Sequence, residues 1–265
     1  MQVFKDVPTL TARPTLSEQN GVPHKLFGFL PPDADFSVAA WVKAAVAEMN
    51  AAWDDGKIPV LTGGTGLYFK ALTEGLHFMP DVDEKTRLDV REHMKTVGRE
   101  AFLKEYLEKD PSFPFTDPQR LTRAAEILRA TGHPLSHWHA QPKTKSVDAV
   151  FYTVVMLPDR PVLYKRCDDR FDRMMTGPVF DEIDALTAQN PPENSLILKA
   201  VGVKELTAFK RGDISLERAV ELAKQHTRNY AKRQTTWFTR QTKAEKIVSD
   251  DNFDAVLTDV LRFAC

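Results

Sequence analysis

The stretch Lys57-Ile58-Pro59-Val60-Leu61-Thr62-Gly63-Gly64-Thr65-Gly66-Leu67-Tyr68-Phe69-Lys70-Ala71-Leu72 changes texture twice. Lys57 to Thr62 is a short apolar, β-branched run of the kind that fills a buried strand of a parallel sheet. The glycines then supply a turn, and Leu67 to Leu72 resumes as a helix. Upstream, Val38, Val42, Ala45 and Met49 recur at helical spacing behind Ser37, which can cap the N-terminus, and Gly56 can end that helix. Helix, buried strand, glycine turn and helix in succession predict an α/β fold with a parallel sheet.

Working outward, the texture changes at Pro80. From there to Val147 the chain reads as helices separated by Pro- and Asp-containing loops, with Leu88, Met94, Phe102, Tyr106 and Leu107 as core positions. Within it, Asp117-Pro118 opens a helix whose stripe Leu121, Ala125 and Leu128 faces inward before Gly132, leaving Arg120 and Arg123 outward. A strand pattern returns at Val150 to Leu157, followed by a helix that begins at Pro158-Asp159-Arg160 and ends near Gly177. The division expected is an α/β core at 1–79 and 148–265 and an all-helical insertion at 80–147. A last helix begins near Ser215, with Leu216, Val220, Ala223, Thr227 and Tyr230 facing in and Lys224, Arg228 and Lys232 on another face.

Hydrophobic residues make up 42% and charged residues 28% of the 265-residue chain. That balance suits a globular protein able to bury its own core and excludes wholesale disorder or a fibrous repeat. No apolar run reaches the roughly 18 residues of a membrane span, and the opening MQVFKDVPTL is not a secretory leader, so a cytoplasmic protein with no membrane partner is expected. Cys167 and Cys265 supply neither a disulfide framework nor a zinc spacing. The net charge is −1, from 36 basic and 37 acidic residues, so nucleic-acid binding would have to come from local patches.

Three segments could carry chemistry. Leu61 to Tyr68 puts a flexible turn at a strand's carboxyl end and a helix N-terminus, where backbone amides, the helix dipole and the Thr65 hydroxyl can hold an anion; it equally suits a plain strand-to-helix turn. Arg166, Arg170 and Arg173 share a helix whose buried stripe is Leu163, Cys167, Phe171 and Met174. Such arginines can neutralise a leaving diphosphate or form a solvated face with Asp168, Asp169 and Asp172. Thr227 to Arg240 interleaves cations with Tyr230, Trp237 and Phe238, a mixture suited to RNA backbone and unpaired bases, or to aromatics packing inward under solvated cations. His133, His137 and His139 read as a polar loop rather than a metal site, because Pro134 interrupts the helix that ligands at i and i+4 need.

Leu61 to Leu72, Asp117-Pro118-Gln119-Arg120-Leu121-Thr122-Arg123, Arg170-Phe171-Asp172-Arg173-Met174 and Ala231-Lys232-Arg233-Gln234-Thr235-Thr236-Trp237 resemble, in this order, the motifs of bacterial tRNA dimethylallyltransferases. Val22 to Leu26 and Ala200 to Glu205 fit the same pattern. The resemblance implies a P-loop-type parallel-sheet core with a helical insertion that grips the anticodon arm of tRNA. It further implies transfer of a dimethylallyl group from dimethylallyl diphosphate, with Mg2+, to a flipped adenine beside the anticodon, and a monomeric full-length form. Thr65 and Arg170 would contact the diphosphate. Gln119, Arg120, Arg123, Lys199, Lys204, Lys232, Arg233, Gln234 and Trp237 would contact tRNA, and Gln2 would lie near the flipped base.

That family opens with a strand, a Gly-rich P-loop, a helix and a second strand bearing an acidic base. No such segment occurs in this sequence, and Met1 to Asp6 resembles the stretch just after that base. The expectation is a sequence that begins at an internal Met of a longer protein, with the first strand and P-loop absent; a tRNA-binding chain without catalysis is the alternative.

Overall fold

The computed structural model describes residues 1–249 and 253–264. In chain order the elements are α1 (Val38–Asp54), α2 (Gly66–Glu74), β1 (Leu76–His77), α3 (Glu84–Val97), α4 (Arg99–Leu107), α5 (Pro118–Thr131), α6 (Leu135–His139), β2 (Lys143–Thr144), β3 (Val154–Met156), α7 (Arg160–Met175), α8 (Val179–Ala188), α9 (Val203–Lys210), α10 (Leu216–Gln241), β4 (Lys246–Val248) and α11 (Phe253–Ala264). They divide into two compact units, Met1–Ala71 with Val147–Cys265, and Leu72–Ser146. No helix among the described residues is long and apolar enough to cross a membrane.

In the first unit the centre is helical. The buried cluster draws Phe171 from α7, Ile183 and Leu186 from α8, Leu206 from α9, and Ala219 and Ala223 from α10. Helix α10 presents Ala219, Ala223, Thr227 and Ala231 one turn apart as its buried stripe, and side chains this small let a neighbouring backbone approach closely. Tyr230, expected to face in, is 41% exposed, because the inward stripe runs one residue out of phase with it. The chain also has a further helix, α11, beyond the one read as last.

The N-terminal segment plugs into this cluster with Phe4, Val7 and Leu10. Its backbone is fastened by Glu182 of α8, whose carboxylate accepts from Thr9 N at 2.9 Å and Leu10 N at 3.4 Å. Val7 is held at φ +45°, a conformation costly for a β-branched residue, which tertiary packing must over-determine. Gln2 donates its side-chain amide to Ala12 O at 2.8 Å.

The parallel sheet is smaller than the sequence predicts. Among the described residues only β3 and β4 pair in parallel, with Val155 opposite Ile247, apart from an isolated parallel bridge between Phe4 and Leu30. Fold class is therefore mixed α and β, with helices supplying most of the core. Lys57 to Thr62 forms no strand among the described residues, and Ile58 and Val60 are 61% and 76% exposed. Apolar β-branched character makes a strand only where a neighbour supplies the ladder hydrogen bonds. For the same reason the strand expected over 150–157 shrinks to β3, its one neighbour being β4, and Val150 is exposed.

The second unit packs α3, α4 and α5 around Val90, Phe102, Tyr106, Phe113, Leu121 and Ala124. Leu88, expected in this core, is 56% exposed, since Val90 takes the inward position on α3. The unit also carries a short antiparallel ladder joining its two ends, Leu76 opposite Thr144 and His77 opposite Lys143, so it is not purely helical. The start of α5 follows the sequence closely: Asp117 accepts from Arg120 N at 3.0 Å, Pro118 opens the helix and Gly132 closes it at φ +74°. Asp110, buried, ties α4 to α6 by accepting from Ser112 Oγ at 2.8 Å, Ser136 N at 3.2 Å and Tyr106 OH at 3.3 Å.

Candidate functional site

The glycine turn and the basic aromatic helix, far apart in sequence, form one place. Helix α2 begins at Gly66, and Tyr68 N donates to Thr65 O at 2.9 Å, so Thr65 sits at the N-terminal edge with its hydroxyl in an exposed residue. Gln234 of α10 donates Nε2 to Gly64 O at 2.9 Å. A Cβ on Gly64 would lie 1.9 Å from that Nε2, and one on Gly66 would lie 2.0 Å from Trp237 Cδ1. The glycines are therefore seats for α10 side chains. Farther along, Lys70 Nζ donates to Gln241 Oε1 at 3.0 Å and Phe69 meets Phe238 edge-on at 6.3 Å. Trp41 stacks on Tyr68 at 4.7 Å. Burial, and secondarily Tyr230, push the Tyr68 phenol above its ordinary pKa.

The basic face of α10 separates into two functions. Lys224 Nζ lies 2.6 Å from Asp172 Oδ1 and Arg228 Nη1 2.6 Å from Asp168 Oδ1, so these two cations fasten α10 to α7. The acids read as partners for α7's own arginines are mostly engaged elsewhere, and Asp169 pairs with Lys165 at 2.6 Å. Arg170 is left exposed on α7 without an ion-pair partner among the described residues. On α10 beyond Arg228 the cations have no carboxylate partner among the described residues: Lys232 is exposed, Arg233 lies 5.6 Å over the Tyr230 ring, and Arg240 follows two turns on. They line an open groove of 620 Å³ together with Asn229, Thr236, Trp237 and Gln241. Asn229, Thr236 and Arg240 lie in the stretch singled out in sequence but were not named there as contacts, although their offsets of four, three and seven residues from Arg233 mark one helix face.

Lys199 and Lys204 are exposed, the latter on the first turn of α9 between buried Val203 and Glu205. Glu205, also missed, accepts from Gly202 N at 3.0 Å and pairs with His226 Nδ1 at 2.6 Å, joining α9 to α10. Nothing in local sequence announces a partner 21 residues away. The Gln2 amide is engaged by Ala12 O within its own loop.

In the second unit, Gln119 and Arg120 are exposed on α5, with Arg120 positioned 4.5 Å over the Phe115 ring. Arg123 is half-buried: it reaches Pro80 O at 3.3 Å and Glu126 at 3.5 Å, and Arg91 reaches the same buried carboxylate at 3.3 Å. His137, on the short helix α6 that forms within the expected loop, stacks at 4.4 Å on His133 just before it.

A helix N-terminus with a hydroxyl at its edge can hold a phosphorylated group, and cations interleaved with aromatics suit RNA. This combination is one suited to proteins that act on phosphorylated compounds and nucleic acid together. The IPP transferase family model matches residues 2–241, and the chain belongs to that family of transferases. It is 39% identical over 98% of its length to the tRNA dimethylallyltransferase of Paramagnetospirillum magneticum, covering 84% of that protein. To the tRNA dimethylallyltransferase of Novosphingobium aromaticivorans it is also 39% identical, covering 98% of this chain and 94% of the relative. Among solved structures it resembles the tRNA delta(2)-isopentenylpyrophosphate transferase of Staphylococcus epidermidis, with a TM-score of 0.67 and 29% identity over 99% of this chain and 88% of that one. A eukaryotic dimethylallyltransferase acting on tRNA shares the fold, with a TM-score of 0.78 at 23% identity over 98% and 69% of the two chains. The resemblance read from the four ordered motifs is thus borne out at the level of family.

Proposed function

We propose that this chain transfers a dimethylallyl group from dimethylallyl diphosphate to the exocyclic N6 of the adenosine beside a tRNA anticodon. The observation that carries the reading is the junction of the glycine turn with α10, through Gln234 and Gly64 O at 2.9 Å, because a helix terminus that would hold an anion then adjoins a cationic, aromatic groove. In the transfer a bond forms between N6 and the allylic carbon, the bond from that carbon to the diphosphate oxygen breaks, and N6 gives up one proton. Negative charge grows on the departing diphosphate. The α2 dipole, the Thr65 hydroxyl and the Arg170 guanidinium would stabilise it, such contacts being most effective where charge develops.

Lys232, Arg233, Trp237, Lys199 and Lys204 would face tRNA, as would Gln119 and Arg120 on the insertion. Arg123 would contribute through the α5 surface it braces. Among the described residues no three His, Cys, Asp or Glu side chains converge as a metal cluster; that fits poorly with a cage built by this chain, so magnesium would rely on phosphate oxygens and water.

Incubating the chain with undermodified tRNA and labelled dimethylallyl diphosphate tests the reading. Label in the tRNA, lost on Thr65→Val, is the expected result. Binding of tRNA with no label transferred would sink it and favour a tRNA-binding protein without catalysis.

A further inference from the structure

We infer that Gln234 is a positioning residue for the turn that holds the diphosphate rather than an RNA contact, an inference that rests on the function proposed above. Its side-chain amide is already engaged, donating to Gly64 O at 2.9 Å. The contact is built from both sides. A Cβ on Gly64 would fall 1.9 Å from Gln234 Nε2 and push that amide off the carbonyl, and one on Gly66 would fall 2.0 Å from the Trp237 indole. Gln234 and Trp237 are three residues apart and share one face of α10, so the two seats act as a single clasp.

The consequence for the anion follows from peptide planarity. In a trans peptide the carbonyl and the next residue's N–H lie in one plane and point in opposite directions. Holding Gly64 C=O toward α10 therefore aims Thr65 N–H away from it. That N–H precedes the first turn of α2, where backbone donors have no intrahelical acceptor. Gln234 thus sets the direction of a donor it never touches, beside the Thr65 hydroxyl. Neighbouring Arg233 and Lys232 remain exposed for nucleic acid.

Two affinities measured on the full chain separate this role from RNA binding: equilibrium binding of labelled dimethylallyl diphosphate, and binding of undermodified tRNA. Gln234→Leu raises Kd for the diphosphate about threefold to tenfold, the worth of one hydrogen bond, while Kd for tRNA moves by less than about twofold on the same scale. Gln234→Glu, which offers the carbonyl no donor, behaves alike. Gly64→Ala displaces the amide without altering any exposed side chain and weakens the same affinity; combined with Gln234→Ala it adds little, and it carries the comparison if the Leu variant unfolds. Weakened tRNA binding with unchanged diphosphate affinity would overturn the inference. A native chain that binds both ligands but transfers no label contradicts the proposed function alone, and one that binds no dimethylallyl diphosphate overturns both.

Discussion

Gly66→Ala probes the clasp between the glycine turn and α10 most directly. The new Cβ would sit 2.0 Å from Trp237 Cδ1 and 2.1 Å from its Nε1, against an optimal carbon–carbon separation of about 3.5–4.0 Å. The half-buried indole must move or the turn must lift off α10, and overpacking of this kind costs about 1–3 kcal/mol. Against that, alanine is favoured over glycine in a helix by about 1 kcal/mol, and Gly66 is the first residue of α2. The net expectation is a loss of up to about 2 kcal/mol, or a melting temperature lower by up to about 8 °C for a chain of this size. The decisive assay is a double-mutant cycle by thermal or urea unfolding. With Trp237→Ala as background the collision disappears, so Gly66→Ala becomes neutral or mildly stabilising and the coupling is about 1–3 kcal/mol. An equal cost in both backgrounds, or stabilisation of the native protein, would refute the reasoning.

Removing Lys232 is expected to weaken tRNA binding and to reduce the slope of log K against log salt by about 0.7–0.9, the share of one phosphate contact; Lys224→Ala leaves that slope unchanged, because Lys224 is held by Asp172 of α7. Glu205→Ala leaves Gly202 N without its buried acceptor and His226 without its partner, costing about 2–4 kcal/mol in urea unfolding, with Glu205→Gln costing less. Burial, offset in part by Leu135 N–H and aided by Asp110, pushes the Tyr106 hydroxyl up to about 12. A raised folded pKa gives stability that is complete below the unfolded value and lost as pH rises through the folded one, so the advantage over Tyr106→Phe fades between about pH 10 and 12. Burial alone would raise the Asp110 carboxyl, but its bonds from Ser112, Ser136 and Tyr106 outweigh that and hold it below the usual range. Its contribution is present above about pH 4 and lost as pH falls below it, a loss that Asp110→Asn does not show in pH-dependent unfolding.

Local signals were legible wherever the physics is local. Asp117, Pro118 and Gly132 bound α5 as read, and Ser37 caps α1 by accepting from Ala40 N at 3.1 Å, because capping hydrogen bonds close within a few residues. Strands were the weak point. Lys57 to Thr62 has strand-like composition yet no ladder, since pairing belongs to the neighbour as much as to the segment. The candidate site was legible as two lists, the glycine turn and the cationic helix, and not as one place.

From the sequence alone came the family resemblance, the helix boundaries and the residue types of the glycine turn and the cationic, aromatic helix, because these depend on spacing along the chain. Tertiary structure alone decided which cations are free. Lys224 and Arg228 are tied to α7 while Lys232, Arg233 and Arg240 line the groove, a division set by which helix packs against which face. It also decided what a Cβ at Gly64 or Gly66 would meet: that space is occupied by Gln234 and Trp237, a steric relation that exists only once α10 lies against the turn.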